Sequence, residues 1–163
     1  MSRVFVGLGS NLDQPLQQLK KAITELDHIP RTSVVRVSPF YQTKPVGYLD
    51  QPDFVNAVIE LTTSLPPKEL LTHMQFIEEQ HGRVRTFQNA PRTLDLDLLA
   101  FDQLIYHDNE LTLPHPRIQD RAFVLVPFND IAPEFIIPTL GNVKDLALQY
   151  QYDDMHIMEE PLV

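Results

Sequence analysis

Cysteine is absent from the 163-residue chain. Disulfides, thiolate nucleophiles and thiolate metal sites are excluded together. Long apolar runs are absent too: none approaches the roughly 18 residues that cross a bilayer as a helix. There is no GxxxxGK[ST] segment, so a P-loop is not how this chain would hold phosphates. Basic charge is scarce: 13 lysines and arginines stand against 22 acidic residues, a formal net charge of −9. Such a balance disfavours nucleic acid and anionic membrane surfaces unless the cations are concentrated. The opening MSRVFVGLGSN has one early basic residue and breaks at glycine, which reads as a strand and not a secretory signal. The cytoplasm is the expected compartment.

What is present is enough for a single domain over residues 1–163, with a hydrophobic fraction of 43% to build its core. Residues 3–8 predict a first strand. Asp13 is a candidate N-cap and Pro15 suits the first helical turn; Leu16, Leu19, Ile23 and Leu26 then recur at helical spacing towards His28. Ser33 to Tyr41 predicts a second strand, 43–53 a loop with two prolines and a glycine, and Phe54 to Thr63 a third strand. Pro66 and Pro67 open a second helix with Leu70, Leu71, Met74 and Ile77 on one face, ending at Gly82. Its His73 and His81 lack partners at ligand spacing and read as surface histidines. An arginine-rich loop, 83–93, leads to a fourth strand, Thr93 to Phe101. Beyond it Pro114, Pro116, Pro127, Pro133 and Pro138 break the pattern into short pieces, with a last short helix within Leu140 to Tyr150. Strand, helix, strand, strand, helix, strand is the split βαβ order. It predicts an α+β, ferredoxin-like core, a mostly antiparallel sheet with helices on one face.

The chemistry concentrates after the second helix. Asp95 and Asp97 are two apart on a predicted strand, so they share one face, while the alternating leucines take the other. Paired carboxylates are costly to hold together without a cation, and oxygen ligands at this spacing suit Mg²⁺ together with substrate phosphates. By themselves they read more readily as a solvated polar face. The arginines alter the balance. Five lie between Arg83 and Arg121, with no lysine among them. Arg83 and Arg85 follow the helix, Arg92 precedes Asp95 by three residues, and His115 and Arg121 come after the strand. Guanidinium groups suit forked contact with phosphate oxygens. Gly7-Leu8-Gly9 approaches the dinucleotide-binding fingerprint but lacks its third glycine, where Leu12 stands.

Taken in order, GSN, DQPDFVNAV, GRVR, PRTLDLDLL, LPHPR and RAF give a chain that closely resembles the 6-hydroxymethyl-7,8-dihydropterin pyrophosphokinase family, from about residue 4 to residue 138. The resemblance implies transfer of pyrophosphate from ATP to the pterin hydroxymethyl group, with release of AMP, in folate biosynthesis. It implies two Mg²⁺ ions and a ferredoxin-like fold. By the same resemblance Asp95 and Asp97 hold metal, and Arg83, Arg92 and Asp97 are the catalytic candidates. Gln75, Glu78, Arg83, Arg85, Arg92, Leu98, Thr112, His115 and Arg121 surround the nucleotide. Thr43, Val46, Phe54, Asn56, Asp95 and Phe123 form the pterin pocket. Phe54 departs from the tyrosine common there, and TFQNA, with Gln88 and Asn89, replaces a stretch that often carries a basic residue and tryptophan.

Asp97 and a water are both open as acceptors of the alcohol proton. The expected partners are small molecules only, acting on a monomer. An RNA-binding module of the RRM type shares the core topology and is the alternative from another class. It needs exposed aromatics on central strands and a basic face. Phe5 offers one ring, but the fourth strand offers aspartates. A small-molecule binding protein that has lost catalysis is the third possibility, and retention of both aspartates with Arg83 and Arg92 speaks against it.

Overall fold

A computed structural model of the chain describes residues 1–45, 50–82, 93–150 and 155–159. Four long elements follow the hydrophobic periodicity: β1 (Ser2–Ser10), α1 (Pro15–Asp27), β4 (Phe54–Thr63) and α2 (Pro67–Gln80). The expected second strand divides into β2 (Thr32–Val37) and β3 (Phe40–Thr43), both antiparallel to β4. The break falls at Ser38-Pro39, because proline has no N–H for the ladder. Ser38 bridges the gap instead: its N–H donates to Val58 O, and its hydroxyl oxygen accepts the Val58 N–H. β5 (Asp95–Phe101) completes the split βαβ pattern by pairing antiparallel with β1.

Two short hairpins follow, β6 (Tyr106–His107) with β7 (Thr112–Leu113) and β8 (Ile136–Ile137) with β9 (Gly141–Asn142). Between them lie a 3-10 turn (Ile118–Asp120) and α3 (Ala122–Ile131); α4 (Val143–Ala147) and β10 (Met155–Glu159) close the described chain. The main sheet runs β10-β3-β4-β1-β5, with β2 also on β4. This is the expected ferredoxin-like arrangement, with β10 added at one edge.

Alternation gives the sheet two faces. Val4, Val6 and Leu8 of β1, Val55, Ala57, Ile59 and Leu61 of β4, and Leu96 and Leu98 of β5 pack under α1 and α2. On the other face Phe5, Val58 and Leu99 pack against Val124, Leu125 and Phe128 of α3, with the Phe5 and Phe128 rings 4.5 Å apart. α3 corrects the expectation of irregular structure beyond residue 101. Pro127 lies inside it, where proline removes one backbone bond and costs about 3 kcal/mol. Burial of Val124, Leu125, Val126 and Phe128 outweighs that local preference. α1 and α2 thus share one face as expected, and α3 covers part of the opposite one.

The start of α1 is also corrected. The residue before it is Gln14, left-handed at φ 61°, and it makes no side-chain cap. Asp13 is itself left-handed at φ 53°. Its carbonyl accepts the Gln18 amide N–H at 2.9 Å, so the side chain of a later residue does the closing.

Candidate active site

The second face is only half covered. Beyond the reach of α3, β1 contributes no side chains there, because its outward positions are Gly7 and Gly9. Register places Asp97 opposite Gly7 and Asp95 opposite Gly9 on one side, with Val58 and Asn56 opposite the same glycines on the other. Asp95, Gly9, Asn56 and Tyr41 therefore form one row across β5, β1, β4 and β3. A bare glycine floor with a carboxylate on one side and an amide on the other is a cleft, and Gly7, Gly9, Asn56, Asp95 and Asp97 all line it.

The amide of Asn56 is oriented before any ligand arrives. Asn56 is buried, and Thr43 Oγ1 donates to its Oδ1 at 2.5 Å. Its Nδ2 faces Leu8 O at 3.4 Å. The reverse orientation would set two oxygens against each other at Leu8, so the amide points one way. It retains one donor and one acceptor for a neighbour, which suits an amide-like ring edge. Phe54, Phe123 and Thr43 line the same cleft. The GSN segment supports it from behind: buried Asn11 donates to Gln51 Oε1 at 2.8 Å and to Pro52 O at 2.9 Å, fixing the approach to Phe54.

At the carboxylate side, Arg121 comes to 3.6 Å from Asp97 Oδ2 and His115 Nε2 to 3.9 Å from Asp97 Oδ1. The Arg121 guanidinium also lies 5.5 Å from the centre of the Phe123 ring. Burial, then the positive charge of Arg121, lower His115 to about 4, with Asp95 opposing and Arg117 adding to the fall. The ring is neutral at pH 7. Its Nδ1 accepts the Arg117 N–H at 3.2 Å, so the ring hydrogen sits on Nε2, towards Asp97. His115 N donates to Leu99 O at 2.9 Å, which docks this segment on β5.

Asp95 and Asp97 fit a magnesium ion by chemistry: two hard oxygen donors on one strand face, with the Arg121 guanidinium beside Asp97. Among the described residues no group of three or more ligating side chains encloses a common point. A metal that brings most of its own ligands, as ATP-bound magnesium does, suits such a half-built site.

The structure thus brings Thr43, Phe54, Asn56, Asp95, Asp97, Arg121 and Phe123 into one cleft, with His115 beside it. Four other candidates lie elsewhere, around α2 and β5. Gln75 is exposed on α2. Glu78 is buried, and its carboxylate accepts the Leu96 N–H at 2.8 Å, which pins α2 to β5. Leu98 is in the core under α2, and Thr112 hydrogen-bonds His107 at 2.8 Å. Val46, Arg83, Arg85 and Arg92 lie outside the described residues. Sequence reasoning missed Lys44, Arg117 and Asp120, which also line the cleft. It set the two glycines aside as a failed loop motif; two glycines at i and i+2 on a strand signal a bare face. Phe5, the ring offered for base stacking, is fully buried under α3, which removes the basis of the RNA-binding alternative.

Fold and cleft together define an α+β protein of the ferredoxin-like class, with paired carboxylates and cations around a glycine floor. The pattern of the 7,8-dihydro-6-hydroxymethylpterin-pyrophosphokinase (HPPK) family matches residues 5–133. The chain is 46% identical over 146 residues to the 2-amino-4-hydroxy-6-hydroxymethyldihydropteridine pyrophosphokinase of Pseudomonas aeruginosa, covering 90% of each chain. It is 40% identical over 150 residues to the protein of that name from Haemophilus influenzae, covering 92% of this chain and 94% of that one. A crystal structure of Plasmodium falciparum HPPK-DHPS with pteroate shares the fold, with a TM-score of 0.72 and 14% identity. That match covers 91% of this chain and 42% of the longer one. The chain belongs to the 7,8-dihydro-6-hydroxymethylpterin-pyrophosphokinase family.

Proposed function

We propose that the chain transfers pyrophosphate from ATP to 6-hydroxymethyl-7,8-dihydropterin, releasing AMP, as a step of folate biosynthesis. The observation that carries this reading is the single cleft shared by a carboxylate pair and an oriented asparagine with two phenylalanines. One end suits a metal-bound polyphosphate and the other a flat ring with amide-like edges.

In the reaction the hydroxymethyl oxygen forms a bond to the β-phosphorus. The bond from that phosphorus to the oxygen bridging to the α-phosphate breaks, and AMP leaves with the electron pair. The alcohol proton goes to Asp97 or to water. Asn56, held by Thr43, orients the ring, and Phe54 and Phe123 exclude water from its faces. Arg121, with Arg83 and Arg92, meets negative charge on the phosphate oxygens, where preorganised cations contribute most. Asp95 and Asp97 would hold two magnesium ions, which when bound neutralise phosphate charge and make the alcohol easier to deprotonate. Neutral His115 directs its Nε2 hydrogen towards Asp97 and helps keep that carboxylate in place.

The test is a coupled assay for AMP from ATP plus the pterin alcohol, with and without magnesium. Release of AMP only when both are present supports the reading. Pterin binding without AMP release would instead leave a binding protein.

A further inference from the structure

His81 was expected on the surface, yet its side chain is only 2% exposed. It caps α2, one residue before Gly82 and two before Arg83. Its ring spans to α1, with Nδ1 2.5 Å from Gln18 Oε1 and Nε2 2.5 Å from Glu25 Oε1. The orientation of Gln18 is fixed independently, because its Nε2 donates to Asp13 O at 2.9 Å. Its oxygen therefore faces the ring. Each ring nitrogen of His81 thus lies within hydrogen-bonding distance of a side-chain oxygen of α1.

The last turn of α2 is held from two directions by these side chains. Glu78, three residues before His81, accepts the Leu96 N–H on β5, one residue before Asp97. His81 ties the same turn to α1. The helix then ends: the backbone N–H of His81 donates to the Ile77 and Glu78 carbonyls, and Gly82 turns left-handed at φ 74°. A buried charged or polar bridge is weak evidence of stability, since well-packed apolar groups do as well; its better-attested use is to specify one geometry.

We infer that His81 is a positioning residue for the transfer reaction: bridged to Gln18 and Glu25, it fixes where α2 ends at Gly82, the residue that precedes Arg83 in sequence. The inference rests on the proposed role of Arg83 at the phosphates. Loss of the bridge leaves the chemistry groups intact but loosens the end of α2 at Gly82, and small misplacements around a phosphate site are costly to turnover.

The full chain serves for the test. His81→Phe keeps a planar ring and removes both ring nitrogens. The expected result is a fall of about tenfold or more in kcat/KM for ATP, with pterin affinity by calorimetry within about twofold of wild type. Glu25→Gln keeps an acceptor oxygen for Nε2 and is expected to retain at least about half of wild-type activity by the same reasoning. If His81→Phe does not fold, Glu25→Ala cuts one end of the bridge from its partly exposed side and should show the same split in weaker form. Unchanged kcat/KM for ATP, whatever the melting temperature, would overturn the inference and leave the bridge purely structural. So would an equal fall in pterin affinity, which means general loosening of the fold. A wild-type chain that releases no AMP overturns the functional reading itself, and that outcome is separate because it needs no variant.

Discussion

Replacing Gly9 by alanine adds a single methyl group to the floor of the cleft. Its Cβ would lie 2.8 Å from Asn56 Nδ2 and 3.9 Å from a ring carbon of Phe54. The second contact is ordinary; the first is not, and the amide must move by about half an ångström or more to restore a normal separation. It has little freedom to do so, held as it is by Thr43 Oγ1 and by Leu8 O. Leaving one buried polar contact poorly made costs about 1–3 kcal/mol. The lower entropy of the unfolded chain with alanine offsets about 0.4–1 kcal/mol of that. The net loss of stability is then about 1 kcal/mol, which leaves the protein folded. Recognition suffers more. A tilted amide forfeits its hydrogen bonds to the pterin edge, each contributing about 0.5–1.5 kcal/mol, so affinity should fall about tenfold or more. Calorimetry with the pterin alcohol, beside thermal melts, measures both terms. Gly7→Ala controls for the backbone, since the nearest atoms to its Cβ would be those of the Leu99 side chain, in ordinary contact from 3.5 Å. It should melt at or above the wild-type temperature. Wild-type pterin affinity in Gly9→Ala would refute the assignment of Asn56 as the ring-edge reader.

Asp95→Asn and Asp97→Asn should each reduce AMP release by about 10²-fold or more while the fold survives, because each keeps size and removes a charge from a repelling pair. Unaltered magnesium dependence of turnover in both variants would remove the metal site. Arg92→Ala should lower kcat by about 10²-fold if it meets charge that grows in the transition state; a change confined to the KM for ATP would count against that role. His115 should shape stability against pH. Its folded form titrates at about 4, below the ordinary 6.5, so between these values the unfolded chain binds a proton that the folded chain refuses. Stability from this group is complete above about pH 6.5 and is lost as pH falls towards 4, by about 1–3 kcal/mol. In metal-free denaturant titrations, His115→Gln should show a correspondingly shallower fall over that window, and an unchanged slope would contradict the burial argument.

How far the sequence could be read depended on whether a local period carried the information. β4, α2 and β5 were legible because alternation or helical spacing runs through each of them. The Asp95 and Asp97 face was legible for the same reason: leucines at 94, 96 and 98 assign the opposite side. α3 was hidden because AFVLVPFNDI is apolar nearly all round, so it has no stripe, and Pro127 argued locally against a helix. Only the exposed apolar half-face of the sheet, a tertiary fact, explains why it forms. β10 was hidden likewise: MHIME is short, and its partner β3 lies more than a hundred residues earlier.

The cleft itself shows a further limit of local reading. Gly7 and Gly9 were weighed against a loop motif and dismissed, although their strand spacing already described a face stripped of side chains. What the sequence could not supply was the register that sets Asp97 and Asp95 beside that bare face and Asn56 across from it. Lys44 reaches the cleft from the end of β3 and Arg117 and Asp120 from the 3-10 turn, two segments far apart in sequence. His81 failed for the opposite reason. Helical spacing offered no partner for it within α2, and its partners proved to be on α1, across a helix–helix contact. A polar residue without a local partner is therefore not thereby a surface residue. Here the two helices share one sheet face, and the end of α2 lies against α1, where His81 meets Gln18 in its first turn and Glu25 in its last.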